Sequence, residues 1–274
     1  MSRVRIVITA AWSLVLSTGA FAQPGPPLPE GSAYVRSLVK EQRAQDDAIS
    51  AYSYDLEETR ENLNDKGEAT SKGTRRYQVY FVRTRPIRRL VARDGAALSA
   101  KEQASVDRKA AQLADDIRAG KTVSERTGLR LAQLFESCDF KTTSRTAVAG
   151  RDRLELEFEP RKGRPREAAL VSVGDAVLRM LGGKVVFDEA DKRVVRVEAR
   201  SDESLSARVS FGVKLNAIDF RVEFVSLGDG VWLPAKLETK ALGRAFFFKT
   251  FRVRRTAVYS NYRRFSVETN EIPR

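Results

Sequence analysis

Apolar residues recur at two periods along the 274-residue chain, and the switches between them mark out its elements. Val35, Leu38, Val39 and Gln42 fall at helical spacing and predict a first helix over residues 32–49. From Tyr52 the period drops to two. Tyr52, Tyr54 and Leu56 alternate with polar residues, Asn64-Asp65-Lys66-Gly67 supplies a turn, and Tyr77 to Val82 resumes the strand. Pro86 to Arg93 reads as a short edge strand closed by Asp94-Gly95, because proline cannot donate to a ladder. Helical spacing then returns. Ser99 followed by Glu102 fits a capping box, in which each side chain satisfies an orphan amide of the first turn. Val106, Ala110, Leu113 and Ile117 form one stripe, Gly120 ends that helix, and a second helix carries Leu131, Leu134, Phe135 and Cys138.

Beyond residue 140 the strand period dominates. Leu154, Leu156 and Phe158 alternate with Glu155, Glu157 and Glu159 after an Ala149-Gly150 turn. At period two these glutamates line one wet face, without the contrasting surroundings that would separate their pKa values for acid–base work. Arg161 to Arg166 predicts a basic loop, and Ala176 to Leu181 a short helix ended by Gly182-Gly183. A meander follows. Val195 and Val197 share one parity, as do Val209, Phe211, Val213 and Leu215. Phe220, Val222 and Phe224 continue after Asn216-Ala217, and Leu233, Ala235 and Leu237 follow Gly228-Asp229-Gly230. Arg196, Glu198, Arg208, Arg221, Glu223, Lys236 and Glu238 hold the opposite parity, which is the pattern of a twisted antiparallel sheet with one wet face. Phe246, Phe247, Phe248 and Phe251 place aromatics on both faces of the next strand; a local helix or loop covers the second face, or it meets a partner or lipid. Tyr259, Tyr262 and Phe265 break strict alternation and predict a bulge near Ser260-Asn261. The count is about eleven or twelve strands, with one helix ahead of them and a helical pair inserted early: a mainly β, α+β domain over residues 32–274.

Composition narrows the chemistry. With no His, the chain cannot build a Ser-His-Asp triad, a Cys-His pair or an imidazole-ligated metal site, and one Cys excludes disulfides and all-cysteine metal sites within the chain. Cys138 reads as a small buried side chain beside the second helix's stripe. No catalytic residue, metal or cofactor is therefore expected, and the chain reads as a non-enzyme.

The first 22 residues read as a cleavable signal peptide. Arg3 and Arg5 precede a mostly apolar run from Ile6 to Leu16, and Ala20-Phe21-Ala22 supplies the small-x-small site, so the mature chain is expected to begin at Gln23 in the periplasm or outside the cell. That run is shorter than the about 20 residues a membrane-spanning helix needs. Residues 23–31 contain four prolines and predict an extended leader. Export changes how the formal charge of +13 is read. Nucleic acid drops out as a partner, and membrane surfaces or anionic glycolipids take its place. The densest clusters are Arg83, Arg85, Arg88, Arg89 and Arg93; Arg161, Lys162, Arg164 and Arg166; and Arg252, Arg254, Arg255, Arg263 and Arg264. Each serves either such a contact or simple solubility.

The order helix, strands, helices, long meander resembles the LolA/LolB/RseB class of bacterial lipoprotein carriers. Two segments carry most of the likeness: the strand–Asp turn–strand of Val185-Val186-Phe187-Asp188-Glu189-Ala190-Asp191-Lys192-Arg193-Val194-Val195-Arg196, and Gly230-Val231-Trp232-Leu233-Pro234-Ala235-Lys236. The resemblance implies a strongly curved antiparallel half-barrel of about eleven strands whose concave face helices plug. It also implies an apolar concavity that holds a lipid, an acyl chain or a lipidated protein. On the apolar parity, Phe187, Phe211, Phe220, Phe224, Leu237 and Phe248 are the candidate wall, with nearby arginines for an anionic headgroup. The alternative within the same class is an RseB-like envelope sensor or adaptor that binds a protein partner.

Overall fold

The computed structural model describes residues 26–121, 130–161, 178, 181–201, 207–210, 213–228, 230–246 and 249–265. The expected signal peptide and most of the basic loop after Arg161 lie outside these residues. The first helical segment is two helices, α1 (Gly31–Ser37) and α2 (Val39–Ala48), broken at the buried Leu38 and continued by a 3-10 turn over Ile49–Ala51. Glu30 caps α1 by accepting from the amides of Ser32 and Ala33 at 3.0 and 2.5 Å.

Strands β1 (Tyr52–Leu63), β2 (Ala69–Val82), β3 (Arg85–Arg93) and the two-residue β4 (Ala96–Ala97) precede helix α3 (Ala100–Arg118). Ser99 and Glu102 cap α3 reciprocally, as the sequence predicts. Helix α4 (Leu131–Ser137) leads directly into β5 (Cys138–Val148), so that Cys138 opens the strand and is buried there. The remaining strands are β6 (Arg151–Pro160), β7 (Leu181–Asp188), β8 (Arg193–Ser201), β9 (Ala207–Ser210), β10 (Val213–Ser226), β11 (Trp232–Ala245) and β12 (Lys249–Arg264).

All twelve join one open, curved antiparallel sheet in the order β4-β3-β2-β1-β12-β11-β10-β8-β7-β6-β5, with β9 paired to the start of β10. The last long strand returns to pair with the first, which places β1 in the interior of the sheet. One register row shows what the inner face is made of: Thr142, Leu156, Val185, Val197, Val222, Leu237 and Ala257, then Glu58 and Arg75. Over β5 to β8 this face is covered by α1, α2 and α4. Val35, Leu38, Leu131, Leu134 and Phe135 pack there against Leu154, Leu156, Val185, Phe187 and Val197. Asp46 of α2 ties the helices together by accepting from the Ala132 amide of α4 at 2.9 Å.

Helix α3 lies on the opposite face. Its Ala110, Ala114 and Ile117 pack on Ile87, Tyr80 and Val82, whereas the other parity of β2, Tyr77, Val79 and Phe81, belongs to the inner cluster. The rest of the outer face is wet and laced with ion pairs, among them Arg221 with Glu198 and Glu223, and Lys236 with Glu238.

Bulges decide where the sequence parity holds. The one predicted near Ser260-Asn261 is present: Ser53 pairs with Arg263 but Asp55 with Ser260, and Asn261 takes φ +54°. In β8, Phe187 pairs with Val194 and Val186 with Arg196, so Val194 and Val197 are the buried pair and Val195 is the extra residue. In β10 a bulge between Leu215 and Ala217 moves the inner parity from odd to even residues, within one continuous strand.

Two further expectations are corrected. Gly182-Gly183 is not a helix stop but part of β7, and a Cβ on Gly183 would stand 2.0 Å from the Glu198 carbonyl oxygen. Nor does a strand run through Phe246: the chain reverses there, at φ +51°, between β11 and β12.

A charged knot fixes the β7–β8 turn. Asp188 is fully buried, accepts from Arg151 at 2.5 and 2.7 Å and from Arg153, and takes the Asp191 amide at 2.9 Å. Arg151 hydrogen bonding first of all holds the carboxyl at about 2 against its burial, with the Asp191 amide and both arginine charges assisting.

Candidate functional site

Burial on the inner face is deepest beneath the helices at β5 to β8, lower over much of β10 and β11, and deep again at Ala257, Leu56 and Val79 of β12, β1 and β2. Leu154, Leu156, Val185, Phe187 and Val197 are each 0% exposed beneath the helices. Ile218, Phe220, Val222 and Phe224 of β10, Leu237 and Ala241 of β11 and Val253 of β12 are only half-buried. The described residues therefore leave an apolar strip over β10, β11 and β12, floored by small residues at Thr239, Ala241 and Ala257.

Toward β1 this strip meets charge. Glu58 belongs to the inner parity of β1 with Tyr54 and Leu56 and lies opposite Ala257; Arg255 lies two residues along β12 on the same face, and Arg88 reaches in from β3 opposite Val79. Arg88 Nη2 donates to Glu58 Oε2 at 2.8 Å, and Arg255 Nη2 donates to the same oxygen. The Glu58 side chain is 18% exposed. Burial alone would raise its carboxyl, but the hydrogen bonds and charges of Arg255 and then Arg88 outweigh it and hold the group below the usual carboxylate range. Two guanidiniums thus share one carboxylate, which leaves a net positive charge beside the apolar strip. Arg255 Nε is buried and meets no acceptor among the described residues. Arg88 also stacks over the Tyr77 ring, 4.9 Å from its centroid, which fixes its plane.

A tyrosine cluster frames the other side. Tyr54 stands 5.2 Å from Tyr262 and 5.7 Å from Tyr259, ring centroid to centroid, and Tyr262 donates its hydroxyl to the Pro234 carbonyl at 2.6 Å. Burial raises all three phenols above their ordinary range, so they stay protonated and serve as polar edges on an apolar wall. Among the described residues no group of three or more His, Cys, Asp or Glu is placed to hold a metal.

The wall residues expected from the sequence fall into three groups. Phe187 is fully buried, edge-on to Tyr34 at 5.5 Å and 5.7 Å from Phe135, which places it in the packed core under the helices. Phe220 and Phe224 sit half-buried at the margin of that core, and Leu237 lies beside the tyrosine cluster, so these three border the strip. Phe211 and Phe248 lie outside the residues whose side chains are described. Sequence reasoning missed Glu58, and it placed Arg88 and Arg255 in basic clusters without locating either on the inner face. The available signal was a charge on the apolar parity of a strand: Glu58 in line with Tyr54 and Leu56, Arg255 in line with Ala257 and Tyr259.

Several solved structures are similar to the chain over most of its length. A domain of a putative outer membrane lipoprotein-sorting protein from Vibrio parahaemolyticus is matched over 88% of this chain and 94% of its own, with 11% identity and a TM-score of 0.40. A LolA superfamily protein from Nitrosomonas europaea is matched over 84% and 94%, with 12% identity and a TM-score of 0.35. A MucA/MucB complex structure from Pseudomonas aeruginosa is matched over 84% of this chain and 99% of that one, with 11% identity and a TM-score of 0.26. No family model and no curated protein matches the sequence.

Proposed function

We propose that the protein is an exported envelope protein that holds a lipid, an acyl chain or a lipidated protein on the inner face of its sheet. It carries out no catalysis and needs no cofactor. The acyl portion lies on the strip bordered by Phe220, Phe224 and Leu237, and an anionic headgroup lies against Arg88 and Arg255. The observation that carries this reading is the junction itself, where a half-buried apolar surface runs into two arginines sharing one acid, with a buried Nε left over. An amphipathic anion suits both halves: burial of its chain supplies affinity, and the arginines supply direction and headgroup preference. Phe187 supports the wall from the core behind it.

The test compares a fluorescent fatty acid with its uncharged ester. The parent protein is expected to prefer the acid. Arg255→Gln should weaken binding of the acid about tenfold, the scale of one charge-assisted hydrogen bond, and leave the ester nearly unchanged. A parent that binds neither probe but co-purifies with a protein would replace this reading with that of a sensor or adaptor. Export has its own check: N-terminal sequencing of envelope material is expected to start at Gln23, and an intact Met1 in a cytosolic fraction would overturn it.

A further inference from the structure

The β11–β12 hairpin ends in a side chain that folding does not explain. Phe246 is 65% exposed, the most exposed of the large apolar residues among those described, and sits at φ +51° at the reversal itself. A bulky aromatic is a poor choice for a left-handed turn position, which glycine or asparagine fills without strain. Its surroundings are cationic. Lys214 of β10 pairs with Arg244 of β11, Ala245 pairs with Lys249 of β12, and all three cations are exposed. None of the three has an acidic partner among the described residues. Of the two acids in the adjacent β1–β2 turn, Asp65 pairs with Arg252 and Glu68 accepts from the Asn64 side chain.

These cations lie on both faces of the sheet, because Arg244 and Lys214 share the outer parity with Leu242 whereas Lys249 is opposite Ala245 on the inner one. They form a collar around an exposed ring. The base of the hairpin is stiff: Gly243 is buried under the Phe251 ring, and a Cβ there would stand 2.4 Å from Phe251 Cζ and 2.5 Å from the Lys214 carbonyl oxygen.

We propose that this hairpin tip is a membrane-docking element, in which Phe246 enters the interfacial layer of an anionic lipid surface while Lys214, Arg244 and Lys249 meet its phosphates. An apolar ring with a collar of cations that have no acidic partner among the described residues complements a negatively charged interface: the ring supplies depth and the cations supply attraction. The inner faces of β10, β11 and β12 continue from the tip through Leu215, Gly243 and Phe251 to the apolar strip. Docking by this end therefore sets the mouth of the strip on the lipid. That last step rests on the proposed lipid-binding function; the docking does not.

The test uses the chain from Gln23 onward and vesicles of phosphatidylcholine with or without phosphatidylglycerol. The parent is expected to co-sediment with the anionic vesicles and to be released by salt. Phe246→Asp should lose at least tenfold in vesicle affinity, and Arg244→Ala or Lys249→Ala roughly fivefold each. Phe246→Trp should retain binding, with its emission quenched by lipids brominated on their acyl chains. Equal binding of the parent to both vesicle types, unchanged binding of Phe246→Asp, or an unquenched Phe246→Trp would each overturn the proposal. Fatty-acid binding in vesicle-free solution should be the same for Phe246→Asp and the parent, which also shows the variant to be folded. If vesicle docking holds and the fatty acid does not bind, the lipid-holding function fails and the docking element stands.

Discussion

Phe187→Ala should lower the free energy of unfolding by about 3–5 kcal/mol, because the ring is fully enclosed and its loss adds a cavity to the lost transfer energy. Phe220→Ala should cost only ~1–2 kcal/mol, since a half-buried ring gives up less area and leaves an open hollow in place of a void. Ligand binding should rank the two the other way: Phe220→Ala weakens fatty-acid binding, while any Phe187→Ala protein that remains folded binds nearly as the parent does. Urea unfolding and probe titration on the same samples measure both quantities. Equal stability losses at the two positions, with no probe bound by the parent, would make the strip an ordinary packed surface.

The second large effect belongs to the β7–β8 turn. Asp188→Ala removes the acid that two arginines and a backbone amide converge on, and breaking a buried ion pair from one side typically costs about 3–5 kcal/mol. The pH dependence has a definite sign. The native carboxyl is held at about 2, below its unfolded value of about 3.9, so its contribution is complete above that value and fades as the pH falls toward 2. The gap is worth about 2–3 kcal/mol. Urea midpoints followed from pH 5 down to pH 2 should therefore fall more steeply for the parent than for Asp188→Asn, whose amide does not titrate. Parallel curves would mean that the Arg151 and Arg153 contacts contribute no net stability.

Much of this architecture is legible in the sequence because a strand writes its burial at period two and a capped helix announces its first turn. Ser99 and Glu102, the parity of Leu154, Leu156 and Phe158, and the bulge at Ser260-Asn261 all reappear in the structure. The losses come where one residue shifts a parity or where spatial neighbours are far apart in the chain. Val195 sits at a bulge that re-phases its strand with nothing in the local pattern to mark it, and the break legible at Asn216-Ala217 is a bulge inside one continuous strand. Gly183 reads as punctuation but is glycine because the Glu198 backbone leaves no room for a side chain. The stripe of α3 fits either face of a sheet equally well, so its position on the outer face could not be read. The arginine–glutamate junction draws on residues 58, 88 and 255, from strands that meet only because the last one returns to pair with the first.

An open sheet has two free margins, and they are guarded differently. Beside β3 the two-residue β4 covers only Ala92 and Arg93, and the rest of that margin carries Pro86 and the cations Arg85, Arg88 and Arg89, which disfavour pairing. At β5 it is eleven residues long, and the segment just ahead of α1 lies against it. Ser32 Oγ both donates to the Phe140 carbonyl at 3.1 Å and accepts from the Phe140 amide at 2.8 Å, Thr142 donates to the Pro29 carbonyl at 2.8 Å, and Arg145 donates to that of Pro26. Prolines cannot extend a ladder, so this strap occupies the margin without presenting a new one. A shortened chain that begins after residue 32 would lose the cap of α1 and bare a long template for strand pairing between molecules. Residues 26–32 thus act as a built-in guard against aggregation, and a solubility tag belongs ahead of them.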